Sequence, residues 1–71
     1  MIPVHSGNVE TVGFKGGRYF WRHACGLTNS YTHKGRFFMA LRDAGLRLAM
    51  ANDLVERVDK QRTSAGGGGQ P

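Results

Sequence analysis

The residues of this sequence best suited to bind a metal are three histidines and one cysteine: His5, His23, Cys25 and His33. In common zinc sites, ligands two to four residues apart form two separate knuckles. The spacing of these four residues matches none of those patterns. We therefore expect no metal site, and a fold that is insensitive to chelators.

Cys25 is also the residue most suited to nucleophilic catalysis, because Arg22 and His23 lie close to it in the sequence and a thiolate needs a base or a positive neighbour. No Asp or Glu lies between Thr11 and Arg42 to orient such a base. A free cysteine is usually a small buried hydrophobe. Without a combination of acid, base and nucleophile, the sequence predicts no enzyme.

Gly13, Gly16 and Gly17 are the remaining candidates for binding a cofactor, since glycine-rich loops hold phosphate groups on their backbone N–H groups. A phosphate loop must lead into the N-terminus of a helix. These three glycines belong instead to a predicted β-hairpin. We therefore expect no cofactor.

Positive charge is concentrated in the N-terminal half of this 71-residue chain, whose net charge is +5. Between Thr11 and Arg42 there is no acidic residue and there are six basic ones: Lys15, Arg18, Arg22, Lys34, Arg36 and Arg42. All seven aromatic residues lie in the same stretch, between Thr11 and Arg42. An unneutralised field of this kind favours an acidic or polyanionic partner and speeds the encounter with it.

The strongest local signal is the pair Gly16-Gly17 between two β-prone runs, residues 9–14 and 18–24. Two glycines supply the positive φ angles of a type I′ turn, so the sequence predicts a β-hairpin here. Hairpin register follows from loop length. The predicted cross-strand pairs are Lys15 with Arg18, Phe14 with Tyr19, Val12 with Trp21, and Glu10 with His23.

This register separates an apolar face from a basic face of the hairpin. Val12, Phe14, Tyr19 and Trp21 share the apolar face, which must pack on other elements because a lone hairpin is barely stable. The opposite face holds Thr11, Gly13, Lys15, Arg18, Phe20 and Arg22. Charged residues on an outer face are often no more than a solvated surface. The candidate partner-binding residues are nevertheless Lys15, Arg18, Phe20 and Arg22, extended by Lys34 and Arg36.

A helical stripe occupies the C-terminal half, with apolar residues at alternating steps of four and three: Phe37, Leu41, Ala44, Leu48, Ala51, Val55 and Val58. Thr32 is the predicted N-cap. Gly45 either ends a first helix or is tolerated inside it at about 1 kcal/mol. We expect a helix over residues 34–50, a bend near Asn52, where a capping pattern begins, and a shorter helix to about Lys60.

The sequence therefore predicts an α+β fold, a β-hairpin packed on one long or two consecutive helices. Residues 1–8 are expected to be a flexible arm, residues 9–62 a single small domain, and residues 63–71 a disordered Gly-rich tail. Residues 25–31 are expected to be a loop, with a short third strand over residues 27–31 as the alternative.

The lone cysteine excludes an internal disulfide, and the N-terminal residues resemble no signal peptide. No apolar run approaches the roughly 20 residues of a membrane span. We expect a cytoplasmic monomer without membrane contact.

Two segments resemble nucleic-acid-binding motifs. Residues 34–39, Lys-Gly-Arg-Phe-Phe-Met, echo the aromatic RNP1 strand of RNA-recognition domains, but they open the helical stripe and the periodicity favours a core role for their phenylalanines. Residues 38–55 resemble a helix-turn-helix with Gly45 at the turn, in which only Arg47 and Asn52 are suited to reach base edges. The alternative to a protein-binding regulator is a direct DNA- or RNA-binding regulator that uses the basic aromatic hairpin or the helix-turn-helix. Weak contact with nucleic acid is also expected alongside a protein partner.

The basic aromatic segment Arg18-Tyr19-Phe20-Trp21-Arg22, the helical half, the Arg and Gly bias and the Gly-rich tail together resemble one class of bacteriophage protein. This class is the small phage-encoded regulators that bind the host RNA polymerase, such as antiterminators and initiation inhibitors of Xanthomonas phages. The resemblance implies binding near β′ and the β flap, with inhibition of σ-dependent initiation and suppression of termination. It implies no individual contact residue.

Overall fold

The computed structural model describes the backbone of residues 1–68 and the side chains of residues 1–62. The described residues form one antiparallel sheet, in the strand order β1-β2-β3-β4, with two helices that follow it in the chain. The α+β prediction is confirmed. The elements are β1 (Ile2–Ser6), β2 (Val9–Lys15), β3 (Arg18–His23), β4 (Thr28–Tyr31), α1 (Lys34–Asp43) and α2 (Leu48–Gly68).

The predicted hairpin is β2–β3, and its turn lies at Gly16-Gly17 with φ angles of 61° and 80°. Both positive values match the type I′ turn. Val12 lies opposite Trp21 as expected, and the other predicted pairs near the turn are also present. The predicted pairing of His23 with Glu10 is wrong, because the register shifts between Val9 and Thr11 and His23 lies opposite Val9.

Strands β1 and β4 flank the hairpin and complete the sheet. The expectation of a flexible arm at residues 1–8 is wrong, because β1 pairs with β2. Ile2 and Val4 alternate with polar or exposed neighbours and pack against the core, a two-residue period that Pro3 and Gly7 obscure in the sequence. The alternative of a short third strand is confirmed by β4, whose pairing with β3 places Ser30 opposite Phe20.

Helix α1 ends in a Schellman motif at Gly45, so the prediction of one helix over residues 34–50 is wrong. Gly45 has a φ of 105°, a left-handed conformation that glycine adopts without steric cost. Its N–H donates to the carbonyl of Arg42 at 3.0 Å, and the Leu46 N–H donates to the carbonyl of Leu41 at 3.2 Å. Leu41 and Leu46, the two positions whose side chains usually meet in this motif, are both buried.

The ends of the helices differ from the predicted caps in three places. His33 is the N-cap of α1 in place of Thr32, without a side-chain cap. Helix α2 is already under way at Asn52, since the Ala51 N–H donates to the carbonyl of Arg47 at 2.8 Å, and the expected bend is absent. The backbone stays helical beyond Lys60 to Gly68, into the predicted tail; residues 69–71 of that tail lie outside the described residues.

The core lies between one face of the sheet and the two helices. Phe37 and Leu41 of α1 are completely buried, as are Val9 and Val12 of β2 and Val58 of α2. The break at Gly45 changes the phase of the helical stripe, so Leu46 is buried and Leu48 is 53% exposed. Among the described residues, no helix is both long enough and apolar enough to cross a membrane.

The β1–β2 turn packs directly on the turn between the two helices. The Asn8 N–H donates to the carbonyl of Ala44 at 3.0 Å. Gly7 has a φ of 55°, and a methyl group on it would lie 2.8 Å from the same Ala44 oxygen. This close approach of two backbones fixes the sheet against the end of α1.

Candidate functional site

The structure brings together four of the six predicted site residues on the face of the sheet that points away from the helices. Lys15, Arg18, Phe20 and Arg22 lie on β2 and β3 at the positions that alternate with the buried ones. Strand pairing adds hydroxyl groups from β4, since Ser30 lies opposite Phe20 and Thr28 opposite Arg22. We call this surface the outer face; its residues are Thr11, Gly13, Lys15, Arg18, Phe20, Arg22, Thr28 and Ser30.

The ring of Phe20 lies across Gly13, its cross-strand partner. A methyl group on Gly13 would lie only 2.7 Å from Cε1 and Cζ of that ring. The ring can occupy this position only because residue 13 has no side chain. An aromatic ring on the neighbouring strand commonly covers the space that a strand glycine leaves. Phe20 is consequently mostly but not fully buried, although it points away from the core.

Arg18 is held across β4 by a hydrogen bond from its Nε to Ser30 Oγ at 3.0 Å. Beside it the outer face has a shallow cleft of about 360 Å³, lined by Met1, Lys15, Arg18, Phe20, Thr28 and Ser30. Its surface combines an aromatic ring with two cations and two hydroxyl groups. Such a cleft can accept an apolar group that has anionic neighbours.

The cations of the outer face are not neutralised within the fold. Across residues 1–62, Lys15, Arg18 and Arg22 take part in no ion pair. No carboxylate occurs in the sequence from Thr11 to the end of β4. The positive field at this surface is therefore available to a partner.

Lys34 and Arg36 do not extend this surface, so that part of the predicted site does not form. Both residues belong to α1, in the helical layer on the other side of the sheet. The Lys34 Nζ lies 3.7 Å from Asp59 Oδ2 of α2. Arg36 is exposed on α1. The sequence predicted that both residues belong to a helix. It did not indicate the ion pair between Lys34 and Asp59, which are distant in the sequence.

Asp59 connects α2 to the sheet through a group of polar contacts that the sequence did not indicate. The hydroxyl of Tyr19 and the Nε of Arg62 each donate to Asp59 Oδ1 at 3.0 Å. The hydrogen bond from Arg62, followed by the one from Tyr19, holds the pKa of Asp59 below its ordinary value. Burial, together with the neighbouring carboxylate, raises the pKa of Tyr19. This group stabilises the fold and lies away from the outer face.

Of the residues considered for metal binding and covalent chemistry, His5, Cys25 and His33 are exposed. The expectation that Cys25 is a small buried hydrophobe is therefore wrong. Its backbone N–H donates to Nδ1 of His23 at 3.0 Å. In the part of the chain that the structure describes, no three His, Cys, Asp or Glu residues are placed to hold a metal ion.

The two motifs that resemble nucleic-acid binders are both helical in the structure. Residues 34–39 lie on α1, as their periodicity predicted, and Phe37 is in the core. Residues 38–55 do span two helices joined at Gly45, with Arg47 and Asn52 exposed. On the same helix, Asp53 forms an ion pair with Arg57 at 3.2 Å, so this pair adds no net charge to that surface.

Comparisons with protein-family models, with curated protein sequences and with solved structures find no match to this chain. The geometry of the outer face is therefore the basis for any functional proposal. Its main feature is one aromatic ring set among unpaired cations, next to a shallow cleft.

Proposed function

We propose that this chain is a binding module, not an enzyme, that docks the outer face of its sheet onto an acidic protein surface. The observation that carries the proposal is the Phe20 ring, fixed over Gly13 beside a cleft of about 360 Å³ and surrounded by three unpaired cations. Protein interfaces use this arrangement when an apolar side chain of the partner packs on an aromatic ring and charges around that ring guide the encounter.

Host RNA polymerase is the partner that the resemblance to small phage regulators implies. In this proposal the chain acts as a monomer in the bacterial cytoplasm, where it binds near β′ and the β flap. Binding there would inhibit initiation and suppress termination. No cofactor or metal takes part.

A protein partner suits the outer face better than a nucleic acid does. RNA-binding sheets commonly stack two or three bases on separate aromatic side chains, whereas this face has only Phe20. The helix-turn-helix alternative has only Arg47 and Asn52 to contact base edges, and the basic and acidic residues of α2 balance, so this helix has no excess positive charge to attract phosphate groups. Nucleic-acid binding should therefore be weak and nonspecific.

The test compares charge reversals on and off the outer face. Purified bacterial RNA polymerase, treated with nuclease, is titrated near physiological salt with the wild-type chain and with an Arg18→Glu, Arg22→Glu double variant. The matched control is Arg36→Glu combined with Arg47→Glu, which changes the net charge equally at two exposed helical-layer positions. We expect at least about a tenfold loss of affinity for the outer-face variant, or about 1.4 kcal/mol, and little change for the control.

Two results would contradict the proposal. An equal loss for both double variants would show that net charge alone drives binding. Tight binding to a DNA duplex without binding to polymerase would favour the nucleic-acid alternative. In that case affinity should fall with salt at a logarithmic slope of about 0.9 per phosphate contacted.

A further inference from the structure

A second cleft lies on the side of the sheet opposite the outer face, where β3 meets the end of α1. Its volume is about 290 Å³, and its lining residues are Asn8, Trp21, His23, Tyr31, Ala40, Asp43 and Ala44. This volume is at or below the lower end of the range for small-molecule sites, so it suits one head group or one side chain. The binding function proposed above does not use this cleft.

Three aromatic side chains form much of its wall. The rings of Trp21 and His23 have centroids 5.7 Å apart and are tilted by 43°. The Trp21 Nε1 donates to the hydroxyl of Tyr31 at 3.3 Å, so the indole N–H already has a partner. His23 Nδ1 accepts a hydrogen bond from the backbone N–H of Cys25 at 3.0 Å, which fixes the orientation of the imidazole ring.

The rest of the wall is negative in character. Asp43 is the one charged side chain among the described residues that line the cleft. It is also the last residue of α1, and the end of that helix, Ala40 to Ala44, faces the same space. Several carbonyls of that helix end accept hydrogen bonds within the fold, among them the Ala44 carbonyl from the Asn8 N–H, so Asp43 is the main negative group of the cleft.

We propose that this cleft binds an organic cation, either an alkylammonium or a guanidinium group. Aromatic rings attract such cations through their π faces, and Trp and Tyr are the strongest in this respect. Asp43 supplies the opposite charge. The cation could be carried by a free small amine or by a Lys or Arg side chain of a partner protein. The chain as a whole has a net charge of +5 and attracts anions, whereas this cleft favours a cation.

The single tryptophan of the chain provides a direct readout, because Trp21 lines the cleft and all tryptophan fluorescence comes from it. The full chain is titrated with choline, with Nα-acetyl-lysine methylamide and with Nα-acetyl-arginine methylamide, at constant ionic strength. The neutral control is 3,3-dimethylbutanol, which has the shape of choline without its charge. We expect a saturable fluorescence change with the cations and none with the alcohol. Tighter binding of choline indicates a free amine as the ligand, and tighter binding of either amino-acid derivative indicates a partner side chain.

Asp43→Asn should weaken cation binding by about two- to fivefold, the usual contribution of an exposed charge pair. Asp53→Asn removes another exposed carboxylate, on α2 and outside the cleft, and should change the affinity little. The NMR signal of the Trp21 indole proton serves as a second measurement on the same samples. An equal response to the neutral alcohol, or equal effects of the two Asp variants, would overturn the proposal.

Discussion

A Phe→Ala substitution can be made both in the core, at Phe37, and on the outer face, at Phe20. Phe37 is fully buried and stacks on Tyr19 with a centroid distance of 5.5 Å. Tyr31 contacts its ring from another side, at 6.4 Å. Removing a fully buried phenylalanine ring costs about 3 to 5 kcal/mol. A 71-residue chain has a total stability of about 4 to 10 kcal/mol, so Phe37→Ala should remove about a third of it or more.

Phe20→Ala should cost far less, because the ring lies on Gly13 and contributes nothing to the core. Full burial of a phenylalanine side chain stabilises by about 1.5 to 3 kcal/mol, and Phe20 is mostly but not fully buried. We therefore expect a loss of about 1 to 2 kcal/mol. Phe37→Ala should cost about 2 kcal/mol more than Phe20→Ala.

Urea unfolding monitored by Trp21 fluorescence and by far-UV circular dichroism measures both free energies of unfolding. The slope of the free energy with urea concentration should be unchanged in Phe20→Ala, which would show that the same surface is exposed on unfolding. If Phe20→Ala were as destabilising as Phe37→Ala, the outer face would be part of the folding core. The separation of a core face from a binding face would then be wrong.

Three further predictions concern single positions. Gly13→Ala should displace the Phe20 ring, since its new methyl group would lie 2.7 Å from that ring; polymerase affinity should fall while stability, measured by urea unfolding, changes by less than about 1 kcal/mol. An unchanged affinity would show that the ring position does not matter. Gly7→Ala should destabilise by about 1 to 3 kcal/mol in the same assay, because its φ is 55° and its methyl group would meet the Ala44 carbonyl. Wild-type thermal stability would then refute the close packing of the two turns. The pKa of Asp59 is lower in the folded chain than its ordinary value, so its contribution is present at neutral pH and is lost as the pH falls below about 4. In Asp59→Asn, the melting temperature should therefore fall less steeply below about pH 4 than in the wild type. The same fall in both proteins would show that Asp59 does not contribute to this pH dependence.

The β2–β3 hairpin was predictable in detail because its determinants are local. The two glycines at its turn fix the loop length, and the loop length fixes the register. The pairing of Val12 with Trp21 follows from that register, and so does the division between outer and inner faces. Away from the turn the register failed at His23, because a strand irregularity after Val9 has no clear signature in the sequence.

The remaining errors concern features that depend on contacts distant in the sequence. The sequence marks Gly45 as a candidate helix end, but it does not show whether the helix ends there or continues. That depends on whether Leu46 or Leu48 packs in the core, and Leu46 is the buried one. Strand β1 needs β2 as its partner, so the short alternation of Ile2 and Val4 was not sufficient evidence. The charge of Lys34 can be read from the sequence, but its ion pair with Asp59 of α2 cannot. The sequence alone therefore places Lys34 with the basic surface.

The most direct test of the proposed binding function is the affinity of Phe20→Ala for purified bacterial RNA polymerase near physiological salt. A buried aromatic anchor at the centre of an interface contributes about 2 kcal/mol or more, which corresponds to a loss of affinity of about thirtyfold. We predict such a loss, with circular dichroism confirming that the variant remains folded. Wild-type affinity in the folded Phe20→Ala variant would contradict the assignment of the outer face as the binding surface.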